Sequence, residues 1–228
     1  MTTITWLGHA AFKISYENIN ILIDPFFPTG INEKIIENID LILVTHDHAD
    51  HVGDSIKICQ KTGAQLGAIV GTASKLQSAG IPENQILNSI GFNMGGTIKY
   101  KDIKITMTQA FHTSESGSPC GYILTMPDNT IIYHAGDTCI FDSMKLWGEL
   151  YNIDIACLPI GDIFTMDAKQ AALACKLLNT SSVIPMHFGT FPVLSQSTKQ
   201  FQNELKNIAP NCKCHELNIG QSIEITKQ

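Results

Sequence analysis

Histidine and aspartate crowd one short stretch of this chain, His46-Asp47-His48-Ala49-Asp50-His51, directly after the apolar run Leu41-Ile42-Leu43-Val44-Thr45. Three imidazoles and two carboxylates within six residues point to metal-assisted chemistry. A neutral imidazole costs little to hold at a cation, and Asp adds compensating negative charge. His46 and His48 are two residues apart, so in extended backbone their side chains leave on the same side and one ion can take both. Asp50 and His51 stand where Val52-Gly53-Asp54 opens a helical pattern. A turn there can swing them back toward the same point, free for a second ion. The bland alternative is a polar loop with coincidental histidines, but such loops rarely interleave His and Asp directly behind a buried strand.

Three later residues complete the constellation, each at the carboxyl end of a strand-like run. His112 follows Ile105 to Phe111, Asp137 follows Ile131 to Gly136, and His187 follows Val183 to Met186. Placing polar ligands where apolar strands run out is how an α/β protein turns a rigid core into a preorganised site.

The elements that must position these residues are legible from periodicity. Ile4–Leu7, Ala11–Tyr16 and Ile19–Ile23 alternate as meander strands, and Asp24-Pro25 ends the third because Pro lacks the N–H a central ladder needs. Phe26 to Gly30 is an apolar loop able to wall a pocket, and Glu33 to Ile39 has short helical periodicity. After the cluster come a helix from about Asp54 to Lys61, a strand at Gln65 to Val70 and a helix at Ala73 to Ala79. Strands at Thr97–Lys101, Ile103–Gln109, Gly121–Met126 and Thr130–His134 follow, with turns at Lys101-Asp102 and Asp128-Asn129. The texture then alternates: helix Asp142–Leu150, strand Ile155–Pro159, helix Asp167–Leu178 with Asp167 as N-cap, strand Ser182–Met186, and a helix around Thr198 to Ile208. Short strands near Cys214–Leu217 and Ser222–Ile225 close the chain. Two halves of strands followed by helices predict an α/β fold with two sheets face to face and helices outside. A length of 228 residues suits a single domain, 1–228.

Composition narrows the function. With 44% apolar and 16% charged residues the chain is globular. No apolar run approaches the roughly eighteen residues of a spanning helix, so no membrane is expected. The start lacks the basic and apolar regions of a secretory signal, and the expected compartment is the cytoplasm. Seven scattered cysteines suit reduced thiols, most of them core fillers. Cys212-Lys213-Cys214-His215 resembles half of a zinc knuckle, but no partner cluster follows it. The net charge of −6 disfavours a nucleic-acid partner and leaves a small-molecule substrate. That all fifteen basic residues are lysine, with no arginine, adds only a little to this, since codon bias in an AT-rich genome gives the same composition. Nothing in the sequence speaks to oligomeric state.

The order Asp24, His46-x-His48-x-Asp50-His51, His112, Asp137, His187 resembles the successive motifs of the metallo-β-lactamase superfamily over nearly the whole chain. Trp6-Leu7-Gly8-His9, Ala135-Gly136-Asp137-Thr138, Leu158 to Met166 and Met186 to Pro192 further resemble its compact branch of metal-dependent hydrolases close to ascorbate-6-phosphate lactonase. That resemblance implies a four-layer αββα sandwich with a dinuclear site at one edge. One ion would take His46, His48 and His112, the other Asp50, His51 and His187, and Asp137 would bridge them. Asp24 would hydrogen-bond the ligand loop and hold its shape. Where secreted β-lactamases of the superfamily have a Cys ligand this chain offers Asp137, which counts against antibiotic hydrolysis.

The chemistry expected is hydrolysis. Two divalent ions, zinc by the donor set with manganese or iron also accommodated, would share a water and lower its pKa from about 15.7 to near 7, generating hydroxide to attack an ester, lactone or related carbonyl. Asp50 would orient the nucleophile, and His9 is the candidate for stabilising or protonating the leaving atom, against the plainer reading of a strand-end histidine. Asp162 is a candidate for ordering His187 or lining the pocket, against a local loop cap. His134 points by alternation away from the site, and His215 is structural or exposed. Among Trp6, Phe26, Phe27, Phe164 and Phe191, most are core and one or two border the cleft. Competing readings are a phosphodiesterase, including ribonuclease Z-like RNA cleavage, a lactonase of a phosphorylated sugar acid, and a metal-binding sensor without turnover. The sensor would be marked by a broken ligand set. A di-iron role would require a flavin partner domain that this length cannot contain.

Overall fold

The computed structural model describes residues 1–28 and 33–225. The chain opens as an antiparallel meander of β1 (Thr2–Gly8), β2 (Ala11–Tyr16) and β3 (Ile19–Ile23). A 3-10 turn at Glu33–Ile36 leads into β4 (Leu41–Leu43), which lies parallel to β3 and delivers the histidine-rich stretch. Next come α1 (Ala49–Val52), α2 (Ser55–Thr62), β5 (Gln65–Gly67) and α3 (Val70–Ser78). The second half repeats the plan, with an antiparallel run of β6 (Thr97–Tyr100), β7 (Ile103–Gln109), β8 (Cys120–Thr125) and β9 (Ile131–His134). Then α4 (Met144–Tyr151), β10 (Ile155–Pro159), α5 (Ala168–Leu178), β11 (Ser182–Met186), α6 (Lys199–Ile208) and β12 (Lys213–Cys214) alternate, their strands parallel to β9. β13 (Ser222–Ile225) returns to pair antiparallel with β1.

Within the described residues the strands form a six-stranded sheet, β13-β1-β2-β3-β4-β5, and a seven-stranded sheet, β12-β11-β10-β9-β8-β7-β6. Side chains such as Phe12, Ile14, Ile21, Tyr122, Leu124 and Ile184 fill the space between them. α4, α5 and α6 cover the outer face of the second sheet, and α2 and α3 that of the first. The result is the expected αββα sandwich. β10 is buried along its whole length, Ile155-Ala156-Cys157-Leu158-Pro159, because both of its faces are covered. Asp167 caps α5 by accepting the Gln170 N–H at 2.7 Å, and Asn152 and Asn179 end α4 and α5 in the left-handed conformation that Asn tolerates.

Several boundaries differ from the periodicity. Asp50 and His51 lie inside the single helical turn α1 rather than on an open turn ahead of the helix. The strand read as Gln65 to Val70 stops at Gly67, and α3 already starts at Val70, since Gly71 packs against the loop before β8, where a Cβ would meet Gly117 N at 2.6 Å. That packing is tertiary and leaves no local trace. The helical pattern at Glu33 to Ile39 is one 3-10 turn, and only Lys213–Cys214 of the strand near Cys214–Leu217 pairs. Thr29 and Gly30 of the apolar loop lie outside the described residues. Five of the seven thiols are buried as core, with Cys139 exposed and Cys214 half-buried, and burial pushes Cys59 and Cys120 up to about 12.

The two sheets are tied together beside the ligand stretch. Tyr122 on β8 donates its hydroxyl to Val44 O at 2.7 Å, and Cys120 N donates to Thr45 O at 3.0 Å. These bonds join the residues just ahead of His46 to the opposite sheet. Tyr122→Phe leaves the Val44 carbonyl short of a partner in a dry site, so stability should fall by about 1–3 kcal/mol with an unchanged denaturant slope. Urea titration of the purified variant measures this.

Candidate metal centre

The site is assembled at the carboxyl ends of strands from both sheets. β4 leads to His46, His48, Asp50 and His51; β7, β9 and β11 lead to His112, Asp137 and His187; His9 follows β1. Every residue singled out as a ligand is brought into this one cluster. His46, His48 and His112 offer ligand atoms within 4.8 Å of one another, as do His46, His51 and Asp137, and His9, Asp50, His51 and His187. Asp137 sits at the hub: its Oδ2 is 3.2 Å from His51 Nε2, 3.0 Å from His187 Nε2 and 3.6 Å from His112 Nε2.

Behind these groups the hydrogen bonding aims the free lone pairs inward. Asp24, fully buried, accepts from Thr45 N at 2.8 Å, Thr45 Oγ1 at 2.6 Å and His51 Nδ1 at 2.8 Å. A carboxylate can only accept, so His51 Nδ1 carries a hydrogen, and Nε2 is the nitrogen turned to Asp137 and the centre, where it holds a proton or, in the neutral ring, presents a lone pair. Thr45 spends its only hydroxyl hydrogen on Asp24 and therefore accepts from His46 Nδ1, 3.0 Å away. His46 Nε2 is thereby also left as a lone pair. Asp24 is thus the buried support that the sequence pattern implied, acting on two histidines.

The electrostatics suit a cation. Burial, then the neighbouring His51, pushes His46 down to about 3, so its ring is neutral. Burial opposes the charges of both His51 and Asp137, yet Asp137 and Asp24 raise His51 well above its ordinary value, while His51 and His187 hold Asp137 well below the usual carboxylate range. Two buried atoms at the centre, His51 Nε2 and Asp137 Oδ1, make no hydrogen bond, and neither does His187 Nδ1, on the Gly161 side of its ring. Buried polar atoms are nearly always paired, and an unpaired imidazole nitrogen beside an unpaired carboxylate oxygen fits a metal ion.

Asp47 belongs to the dense stretch but has a different task. Its carboxylate accepts from Ser114 Oγ (2.6 Å), Glu115 N (2.9 Å), Ser116 N (2.8 Å), Ser116 Oγ (2.6 Å) and Lys75 Nζ (2.8 Å). It pins the loop after His112 to the loop that carries His46 and His48. Burial would raise its pKa, but the Lys75 and serine hydrogen bonds hold it well below the ordinary range. Sequence reasoning missed this role, together with those of Thr45, Thr190 and Gly161. A Cβ on Gly161 would collide with the His187 carbonyl. Only the identity of Asp47 and its neighbours was a signal, since Lys75 lies 28 residues away in sequence and Ser114, Glu115 and Ser116 lie 67 to 69.

The remaining candidates divide. His9 is buried beside the ligands, its ring centroid 4.0 Å from that of His187. His134 points away as expected: its Nε2 donates to Ala10 O at 2.9 Å and its Nδ1 accepts from Gly136 N at 3.2 Å. Asp162 is exposed and accepts from Ile163 N at 2.8 Å, a local cap. His215 is half-buried and lies outside every metal-capable group among the described residues, as do all the cysteines. Phe164 and Phe191 line the cleft; Trp6 stacks on Phe188 and Phe26 packs edge-on to His9.

Comparison with known proteins agrees with this geometry. Residues 3–187 match the beta-lactamase superfamily domain. A UPF0173 metal-dependent hydrolase of Nitratidesulfovibrio vulgaris is 55% identical over 230 residues, covering 99% of this chain and 96% of its own. Igni18, a metallo hydrolase from the archaeon Ignicoccus hospitalis, superposes with a TM-score of 0.88 at 35% identity, over 99% of both chains. The metallo-beta-lactamase fold protein YhfI of Bacillus subtilis shares the fold, with a TM-score of 0.77 at 14% identity, over 98% of this chain and 100% of its own. With sheets, ligand order and relatives in agreement, the chain belongs to the beta-lactamase superfamily and, within it, to the UPF0173 metal-dependent hydrolases.

Proposed function

We propose that this protein hydrolyses a small ester, lactone or related carbonyl compound at a dinuclear centre. The observation that carries this reading is the position of Asp137, whose Oδ2 lies within 3.6 Å of imidazole nitrogens from three separate histidines while its Oδ1 is buried and unpaired. One carboxylate set between two groups of imidazoles would serve two cations. In this assignment His46, His48 and His112 would hold one ion, and Asp50, His51 and His187 the other, with Asp137 common to both. The mixed imidazole and carboxylate donors suit zinc, with manganese or iron also accommodated. When bound, the ions supply Lewis acidity and lower the pKa of water from about 15.7 toward 7, so that a nucleophile is available at neutral pH.

The chain's own residues then bind and orient the substrate. The cleft over the ligands has a volume of about 370 Å³, at the small end of ligand pockets. His48, Asp50, His112 and Asp137 make its floor, and Phe164, Phe191, Val193 and Leu194 an apolar wall. That wall holds an apolar substituent and keeps water from the reacting carbonyl. Asp50, whose side chain is 29% exposed, faces this space and accepts a hydrogen bond from His9 at 3.2 Å. His9 therefore keeps its Nε2–H on Asp50, holding that carboxylate in place beside the reacting atoms, where the N–H dipole can steady charge developing on a leaving oxygen.

The wall offers no lysine to a phosphate group. The lysine of the adjoining cavity, Lys75, is already committed to Asp47 at 2.8 Å and Glu115 at 2.7 Å. An uncharged carbonyl substrate is favoured over a phosphodiester or a phosphorylated sugar acid on that ground. Metal analysis followed by a panel of lactones, thioesters, phosphomonoesters and phosphodiesters tests the reading. Turnover of lactones or thioesters supports it, and turnover confined to diesters overturns it.

Two variants probe the centre directly. Asp137→Ala should lower kcat/KM by about a thousandfold or more, the equivalent of several kcal/mol of lost transition-state stabilisation, with an unchanged circular dichroism spectrum. Undiminished activity under saturating zinc or manganese would contradict the shared-carboxylate centre. His112→Ala and His51→Ala should each lose about one equivalent of metal on elemental analysis, from different subsites. Two equivalents retained in both would dismiss the ligand assignment.

A further inference from the structure

His9 lies close enough to Asp50, His51 and His187 to be counted with them as a possible ligand. Distance alone does not distinguish a metal-binding nitrogen from one that carries a proton. Both of its ring nitrogens are engaged: Nε2 is 3.2 Å from Asp50 Oδ2, and Nδ1 is 3.0 Å from Thr190 Oγ1. The ring has little freedom to turn. His9 sits at φ +51°, its carbonyl accepts from Trp6 Nε1 and from His187 N, both at 3.0 Å, and Phe26 and Phe191 pack edge-on to its ring. What remains open is which nitrogen bears the hydrogen.

We infer that Thr190 is a positioning residue for this centre: its hydroxyl donates to His9 Nδ1 and so keeps the proton on His9 Nε2, making His9 a hydrogen-bond donor toward Asp50 rather than a further metal ligand. The carboxylate of Asp50 has no hydrogen to give, so the contact at 3.2 Å is favourable only if Nε2 supplies one. A neutral imidazole with Nε2–H presents a lone pair at Nδ1, and Thr190 is the group placed to satisfy it. The other acceptor in reach of that hydroxyl, Phe188 O, is 3.4 Å away, and the bond to His9 is shorter by 0.4 Å. In the opposite tautomer a lone pair at Nε2 would face a carboxylate oxygen inside a buried site, which is repulsive. A nitrogen that bears a hydrogen cannot coordinate a cation, so Thr190, by occupying the Nδ1 lone pair, supports the donor role that Asp50 requires of His9. Partners of this kind, one bond behind the working side chain, set the tautomer and orientation of a histidine.

The donor role of His9 in turnover rests on the hydrolase reading above, whereas the tautomer does not. The test is therefore Thr190→Val, which keeps the shape and removes the hydroxyl, beside Thr190→Ser, which keeps it. The ring nitrogens of His9 are read by ¹⁵N–¹H correlation in metal-free and zinc-loaded protein, and kcat, KM and metal content are measured on the best carbonyl substrate of the panel. Wild type and Thr190→Ser should show the Nε2–H tautomer. Thr190→Val removes the donor to Nδ1 while Asp50 still favours Nε2–H, so its Nδ1–H population should rise measurably above that of wild type, with kcat lowered about tenfold, KM within about twofold and metal content unchanged. The same tautomer population in Thr190→Val as in wild type, or a serine variant as impaired as valine, would overturn the assignment. If no substrate of the panel turns over, the hydrolase reading falls, while the ring signals still decide the role of Thr190.

Discussion

A single buried carboxylate orders the centre. Asp24 collects the Thr45 N–H, the Thr45 hydroxyl and the His51 Nδ1–H, all within 2.8 Å. Burying a charge is costly unless it is fully paired, and here the pairing is what gives the loop its shape. His51 holds Asp24 in its ionised form against a burial that would otherwise neutralise it. Because the carboxylate only accepts, it imposes direction on everything behind the ligands: Thr45 must give to Asp24 and take from His46, and His51 must turn its other nitrogen inward. Two imidazoles from two positions in the loop are thus aimed by one side chain at the end of β3.

The fold supplies the place where such direction is useful. Parallel strands of both sheets end at one edge, and the chain must turn sharply there to bring polar side chains over the end of the core. His9, Asp24 and His187 all adopt positive φ, at 51°, 46° and 57°, although none is glycine. Backbone strain of about 1–3 kcal/mol at each such residue persists only where surrounding contacts over-determine it. Those contacts are present: His187 N donates to His9 O, Asp24 N donates to Leu43 O, and Gly136 packs where a Cβ would meet Cys120 O at 2.5 Å. The strained residues are either ligands in the proposed assignment or the residues behind them, so the turns and the site are one construction.

Much of this was legible in the linear sequence because the relevant signals are local. The alternation of Ala11–Tyr16 and Ile19–Ile23 and the unbroken apolar run Ile155–Pro159 are direct consequences of which faces are covered, and those strands match the structure residue for residue. The clustering of the candidate ligands was legible for a related reason: imidazoles and carboxylates at the ends of apolar strands have few other reasons to be there. Asp47 was not legible, because nothing in its neighbourhood distinguishes a side chain that binds a cation from one that gathers Ser114, Glu115, Ser116 and Lys75 from across the cleft. Val70 looked like strand for the same reason. β-branched and apolar, it begins a helix only because Gly71 must approach Gly117, a contact forty-six residues distant in the chain.

The balance of charge at the centre also explains why one arrangement can serve with and without cations. Asp137 faces His51, His187 and His112, and the ionised carboxylate needs a positive neighbour in a low-dielectric setting. A proton on His51 provides it, which is why the pKa of that imidazole is raised while that of Asp137 is lowered. In the proposed assignment a divalent cation would provide it better and would take the same nitrogen, so cation and proton would compete for His51 Nε2. Because the folded-state pKa of His51 is raised, the proton is bound throughout the acidic range and is released only as pH rises through that value. Acid therefore favours the protonated centre and alkali the metal-loaded one. His46, held neutral by burial with a pKa of about 3, stays open to a cation down to about that pH. The two imidazoles aimed by Asp24 thus enter the competition on different terms, His46 as a standing lone pair and His51 as the group whose proton a metal ion must displace.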